Sequence, residues 1–333
     1  MNLRKYNFMF HKFLSDFDIN NVPYLISDDL FSSELGEYYF LFEENASKLN
    51  KLINGFDKDG IPVNKPYIDV EENKPHYYPI SIGQYGLAVF NSFVHSKEET
   101  KREHFLRIAD WYVNNKTEDI KLGTYWFTNI PKPEYKIDSA WKSAFTQSRA
   151  ISVLLRAWQI TSDEKYFLLA KNALKIFSVD IKNNGVAVIF DFGVIYEEYA
   201  AKEPTMVLDG HIFSLFGLFD FIRVSKSFDF ESHQFAENLF DKGITALLKL
   251  LPEYDMGYWV KFNLCKMNHY PKLDPCTVGY VKLISLQLDV LYKITGRNEF
   301  DEYARKFKSY LKYGNIFRML PIKYKSLKKL NRL

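Results

Sequence analysis

One pattern constrains this chain more than any other. From about residue 78 onward, a segment that is apolar on nearly every side gives way to a short polar turn and then to a charged, amphipathic segment. The unit recurs four times. Its apolar members are residues 81–93, 143–160, 210–224 and 281–294; the amphipathic members are 97–112, 162–176, 231–251 and 299–313. A helix apolar on all faces must be covered on all faces, whereas an amphipathic helix needs cover on one side only. Unit starts recur about every 60–70 residues, which suits one helical hairpin plus a loop. Four hairpins with buried inner and half-exposed outer helices predict a mainly α chain, an incomplete α/α toroid with its site among the loops at the mouth of the ring. The turns TSDEKYF (161–167) and TGRNEF (295–300) agree, with Thr161 or Ser162 placed to cap a helix that carries acids in its first turn.

The segments joining consecutive hairpins alternate like strands. These are GTYWFTNI (123–130), GVAVIFDFGVIYEEY (185–199) and YDMGYWVKFNL (254–264), read as short β-hairpins on one rim. Residues 1–75 lack the helical repeat. YYFLFEEN (38–45) and GIPVNKPYIDV (60–70) have extended character and FDKDG (56–60) is a turn signal, so this region reads as an irregular arm with room for one hairpin. The helical domain then spans 76–315 and a basic tail 316–333. The last eleven residues, KYKSLKKLNRL, hold five bases and no acid. They read as a solvated end, or as a contact for an anionic polysaccharide or a membrane surface.

Charge and motifs exclude several classes. With 44 basic and 41 acidic residues, the net charge of +3 lacks the field of a nucleic-acid binder. Cys265 and Cys276 form no metal-ligand spacing, and no GxGxxG after a strand, Walker loop or HExxH occurs, so neither metal nor cofactor is expected. No run of 18 apolar residues is present to span a membrane. The start, MNLRKYNFMFHKFLSDFDINN, lacks a signal peptide's apolar core, which reads as a cytoplasmic location. Aromatic residues make up 17%, with 23 Tyr. Such surfaces suit sugars, though a large helical core uses the same residues. Gln84 and Tyr85 in the first inner segment, and Trp141, Gln147 and Arg149 at the second, fit a cleft lining, because a buried Gln or Arg is costly unless paired or facing a cavity. A structural hydrogen bond would explain them equally well. Asp209 starts the third inner helix as a cap or a site residue.

Four strings carry a resemblance: HYYPISIGQYGL (76–87), SAWKSAFTQSRAISVLLRAW (139–158), GVAVIFDFGVIYEEYAAKEPTMVLDGHIFSLFGLFDF (185–221) and KFKSYLKY (306–313). In order and spacing they resemble the C-terminal region of heparosan (D-glucuronyl) C5-epimerases. The resemblance implies an α/α-barrel isomerase acting on an anionic, glucuronate-containing polysaccharide, by removing the C5 proton on one face and returning one on the other. A base, an acid and a carboxylate neutraliser are needed. Tyrosine suits both proton roles if nearby cations lower its ordinary pKa near 10. By resemblance Tyr199 matches a catalytic tyrosine with Glu198 beside it, and Tyr280 the second catalytic tyrosine. Around Tyr280 the family has Arg-Trp-Asp-Tyr-His, whereas this chain has Thr277-Val278-Gly279-Tyr280-Val281, so an arginine and a histidine are missing. Lys282, Lys261 or Arg149 could replace that cation. Tyr258 and Lys261 match a further tyrosine-bearing loop, and Tyr78 lies in the first string among the substrate-binding candidates. The expected function is therefore a polymer-level glucuronyl C5-epimerase of bacterial surface-glycan synthesis, with a homodimer left open. A uronate lyase of the toroid type and an inactive uronate-polysaccharide-binding protein are the alternatives.

Overall fold

A computed structural model describes residues 3–17, 19–22, 24–45, 53–67, 70 and 74–333. Four helical hairpins dominate it. The inner helices are α2 (Pro79–Ser96), α4 (Ala144–Thr161), α6 (Leu208–Ser225) and α8 (Val278–Thr295). The outer helices are α3 (Glu99–Asn114), α5 (Glu164–Asn172), α7 (Phe230–Tyr254) and α9 (Asn298–Ser309). Inner helices pack in succession, α2 on α4, α4 on α6 and α6 on α8, and each outer helix backs its own partner. The result is an open arc of hairpins, an incomplete α/α toroid. The sequence pattern has its cause here: α4 is buried without a break from Ala144 to Ala157, while on α3 only Phe105, Ile108, Ala109 and Tyr112 are buried.

Contacts along the inner row fix its direction. Phe145 stacks on Phe213 at 4.6 Å, and the Ser148 hydroxyl donates to the Phe213 carbonyl at 2.5 Å and accepts from Gly217 N at 3.0 Å. Further along, Arg156 pairs with Asp220 at 2.8 Å. Each step moves toward the C-terminus on both helices, so α4 and α6 run parallel. A Cβ on Gly217 would lie 2.5 Å from the Ser148 backbone; only glycine permits this approach.

Helix ends follow local chemistry. Asp163, not Thr161 or Ser162, caps α5 by accepting from Lys165 N, because Ser162 serves as the left-handed end of α4 at φ 57°. The second outer segment is shorter than its pattern: α5 stops at Asn172 and a 3₁₀ turn, Lys175–Ser178, follows. Two rim hairpins form, β3 (Thr117–Asp119) with β4 (Gly123–Tyr125), and β5 (Ala187–Phe190) with β6 (Gly193–Tyr196). The third rim segment, 254–264, makes no strand ladder. It carries single bridges only, Asp255 to Val260, Val207 to Asn263 and Lys261 to Pro275.

The N-terminal region departs from the expected irregular arm. Helix α1 (Leu3–Asp16) opens it, and β1 (Ile53–Phe56) pairs with β2 (Pro62–Asn64) across the FDKDG turn. Residues 68 and 69 of GIPVNKPYIDV lie outside the described residues. Tyr38, Tyr39, Phe40 and Phe42 are fully or nearly buried, with Tyr39 stacked on Phe216 at 4.8 Å. The Tyr39 hydroxyl donates to Asp220 at 2.8 Å, Arg156 Nε to the Gly36 carbonyl at 3.0 Å and Arg223 Nε to the Ser32 carbonyl at 2.8 Å. The arm thus seals the C-terminal ends of α4 and α6. The basic tail is not a solvated end: α10 (Tyr313–Lys329) buries Ile316 and Met319, and Lys323 and Arg332 pair with Asp274 and Glu134. Both cysteines are free and buried. Among the described residues no helix is long and apolar enough to cross a membrane.

Asp220 neutralises a guanidinium that has no exposure. Asp220→Ala should cost about 3–5 kcal/mol, the usual loss when half of a buried ion pair is removed. Urea denaturation monitored by circular dichroism measures it, and a cost below about 1 kcal/mol would contradict the assigned role.

Candidate active site

Because the inner helices are parallel, their N-termini arrive at one end of the arc. Three of them have no side-chain cap: Tyr78, Val207 and Thr277 precede α2, α6 and α8 without a capping bond. Ser143 caps α4 by accepting from Thr146 N. Uncapped N–H groups and the aligned peptide dipoles make this end favourable to negative charge.

The loop between β6 and α6 brings the chemistry to that end. The Glu197 carboxylate, fully buried, accepts from Thr205 N at 3.0 Å, from Met206 N at 3.0 Å and from the Thr205 hydroxyl. This clamp folds YEEYAAKEPTM into a compact turn and aims Glu198 and Tyr199 at the helix ends. A Cβ on Gly210 would lie 2.5 Å from Glu198 Oε2, so the carboxyl sits against the first turn of α6. Tyr199 lies with its ring 5.0 Å from Trp141 and 5.1 Å from Tyr135. Trp141 is held by its indole N–H, which donates to the Ile130 carbonyl at 2.8 Å. Tyr78 meets Trp141 at 6.3 Å and accepts a 2.8 Å hydrogen bond from the Tyr67 hydroxyl. Tyr280 packs on Phe262 at 5.1 Å.

A buried cation completes the cluster. Lys132 Nζ lies 3.9 Å from the Tyr67 ring centroid and 4.7 Å from that of Tyr199, and pairs with Glu134 at 2.6 Å. Glu134 also binds Arg332 at 2.6 Å. Behind them Tyr135 and Tyr270 stack at 5.3 Å, Asn263 donates to both hydroxyls, and Tyr270 donates to Asp274 at 2.8 Å. The C-terminal segment, through Lys323 of α10 on Asp274 and Arg332 beyond it on Glu134, therefore neutralises the acids of this wall from outside.

Burial sets the protonation states. It pushes Glu198 up to about 7; the Tyr199 hydroxyl and Lys132 pull the other way. Asp209 is held well above the carboxylate range by burial and then by Glu198. Neither Glu198 Oε2 nor Asp209 Oδ1 has a hydrogen-bond partner among the described residues. Burial raises Tyr199, Tyr280 and Tyr78 well above 10, with Glu198 adding to each. The tyrosines are thus neutral phenols, not phenolates stabilised by cations. Glu134 is the opposite case: burial would raise it, but Lys132 and Arg332 hold it at about 2.

The structure thus brings Tyr199, Glu198, Tyr280, Tyr78, Trp141 and Asp209 together and sends the other candidates elsewhere. Val207, not Asp209, is the N-cap of α6. Gln147 donates to the Thr124 and Ala173 carbonyls at 2.8 and 3.1 Å, a structural bond. Arg149 has no exposure and lies between the rings of Tyr38, Phe42, Phe145 and Phe213, at 4.4–5.3 Å from their centroids. Tyr85 faces Phe56 and His104, and Gln84 makes no hydrogen bond among the described residues. Tyr258 stacks under Arg318 of α10 at 3.9 Å, and Lys261 donates to the Glu253 carbonyl at 2.6 Å. Lys282 lines a separate groove between α8, α9 and residues 19–22. Lys132, Tyr67, Glu134 and Glu197 were missed. Lys132 stands between two prolines outside the helical repeat, in NIPKPEYK, and that was its only local signal.

The model of the D-glucuronyl C5-epimerase C-terminus matches residues 119–309, more than half of the chain. The chain belongs to this family. A D-glucuronyl C5-epimerase of Caenorhabditis elegans is 30% identical over 191 residues, which are 56% of this chain and 31% of that protein. An uncharacterized protein of Methanocaldococcus jannaschii is 27% identical over 187 residues, 55% of this chain and 56% of that one. The chain therefore spans about a third and about half of these relatives' lengths. A GH76 α-mannanase structure from Bacteroides thetaiotaomicron aligns over 79% of this chain and 64% of its own, with TM-score 0.43 and 11% identity.

Glu198 ionises at 4.5 in an unfolded chain but near 7 when folded. Its raised pKa contributes stability that is complete below about pH 4.5 and lost as pH rises through 7. Glu198→Gln lacks this dependence. The variant's melting temperature should gain on the wild type's between pH 5 and pH 8, and parallel profiles would mean that Glu198 is ionised throughout.

Proposed function

We propose that this chain is a polysaccharide D-glucuronyl C5-epimerase that converts glucuronate to iduronate residues in a heparosan-like glycan. The observation that carries the reading is the convergence of Tyr199, Tyr280, Glu198 and Lys132 at the N-terminal ends of the inner helices. Family membership supports the reaction class.

Tyr199 and Glu198 act as one base. The C5 proton passes to the Tyr199 oxygen while the Tyr199 proton moves to the Glu198 carboxylate. A pKa near 7 suits Glu198 to this, because a proton acceptor is most effective when poised near the working pH. Tyr280, held neutral by its burial, returns a proton to C5 from the opposite face. Charge that grows on the uronate carboxylate in between is stabilised by Lys132 and by the uncapped starts of α2, α6 and α8. Lys132 takes the place of the arginine missing beside Tyr280. Exchange with water then removes the proton from Glu198 and restores that of Tyr280. Trp141 and Tyr78 offer ring faces to the sugar.

Incubation with heparosan in D2O, followed by NMR, tests the reading. Deuterium should enter C5 as iduronate signals grow. Tyr199→Phe and Tyr280→Phe should each slow turnover by about 10²–10⁴, the usual contribution of one acid–base group. An ultraviolet-absorbing unsaturated product would indicate a lyase instead, and folded protein that binds without exchange would indicate a binding protein. Since Glu198 must be ionised to accept a proton, kcat/KM should rise with pH up to about 7. A profile flat from pH 5 to pH 8 would remove Glu198 from the proton path.

A further inference from the structure

A pocket of about 430 Å³ opens beside the tyrosine cluster. Its volume lies within the range of small-molecule sites, about 300–1,000 Å³. Three elements build it: α3 and its C-cap supply Trp111 and Asn115, the stretch after β4 supplies Phe127 and Asn129, and the lead into α2 supplies His76 and Tyr77. It adjoins the cluster at two points. The His76 ring packs on Tyr78 at 6.2 Å, and the Ile130 carbonyl on the pocket wall holds the Trp141 indole. Two further wall residues, Pro66 and Pro131, precede Tyr67 and Lys132 in the chain.

We propose that this pocket is a second sugar subsite, which holds the hexosamine next to the reacting uronate. The inference rests on the epimerase reading above and adds the position of the neighbouring sugar. The chemistry of the walls selects such a ring. Trp111 and Tyr77, 5.6 Å apart, present aromatic surface to the C–H face of a pyranose. The Tyr77 hydroxyl is anchored on Asp57 at 2.8 Å, which fixes that ring. Asn115 donates to the Trp111 carbonyl at 2.8 Å, which leaves its amide oxygen to accept from a sugar hydroxyl or an amide N–H. Asn129 is exposed at the rim and makes no protein hydrogen bond among the described residues. A wall of aromatic faces and neutral amides, with the exposed Lys74 at its edge, matches a hexosamine bearing hydroxyl and amide groups within an anionic glycan.

Titration calorimetry with methyl β-D-glucuronide and a heparosan hexasaccharide tests the subsite, using wild type, Trp111→Ala and Asn129→Leu. Asn129 is exposed, so its variant keeps the fold even if Trp111→Ala does not. Both substitutions should raise the hexasaccharide Kd, by about tenfold for Trp111, as for a central aromatic anchor. Binding of the methyl glucuronide, which has no neighbouring sugar, should be unchanged. Equal effects on both ligands, no effect on either, or no binding of the hexasaccharide by the wild type would each overturn the proposal. If losses confined to the hexasaccharide occur but C5 exchange is absent in D2O, the subsite stands and the epimerase reading falls.

Discussion

The arrangement depends on how closely the inner helices approach one another. At Ser148 and Gly217 the backbones of α4 and α6 meet with only a serine hydroxyl between them, and that hydroxyl bonds both ways. The contact fixes the stagger of two parallel helices. Helices locked in parallel deliver their N-termini to one level, and every residue assigned to the site lies at or beside that level. The opposite ends are sealed by the arm, where Arg156, Asp220 and Tyr39 form a buried charged group. The arc is therefore polar at both ends for different reasons: one end is held by the Arg156–Asp220 ion pair, and the other keeps carboxyl oxygens without a partner among the described residues.

Those oxygens give the site its character. In a buried setting an unpaired carboxyl resists ionisation, and a phenol resists it more. The tyrosines and Asp209 consequently hold their protons, and the balance of Glu198, like that of its neighbour Glu197, falls near neutrality. The cation that could have upset this is restrained: Lys132 is shared with Glu134, which Arg332 also holds. A tail that looked merely basic in sequence is part of this electrostatic balance.

Much of the fold was legible because it follows from local periodicity. The eight segments of the repeat became four hairpins, and FDKDG became a hairpin turn, since turn chemistry and apolar spacing act over a few residues. The misses arose where distant segments decide. Arg149 and Gln147 look like cleft residues within an apolar helix, yet Gln147 is satisfied by two carbonyls and Arg149 is enclosed by four aromatic rings, two of them from the arm. Segment 254–264 alternates like a strand but finds only single bridges to pair with.

The sequence by itself determined the helical hairpin repeat, the family, and the identities of Tyr199, Glu198 and Tyr280 as candidates, because motif and period are properties of neighbouring residues. Only the tertiary structure decided which cation lies beside the tyrosines and which protons are held. Lys132 reaches Tyr67 and Tyr199 across about 65 residues of chain on either side, and burial is a property of everything packed around a group. Charge balance in a closed site is a sum over segments that no local pattern records.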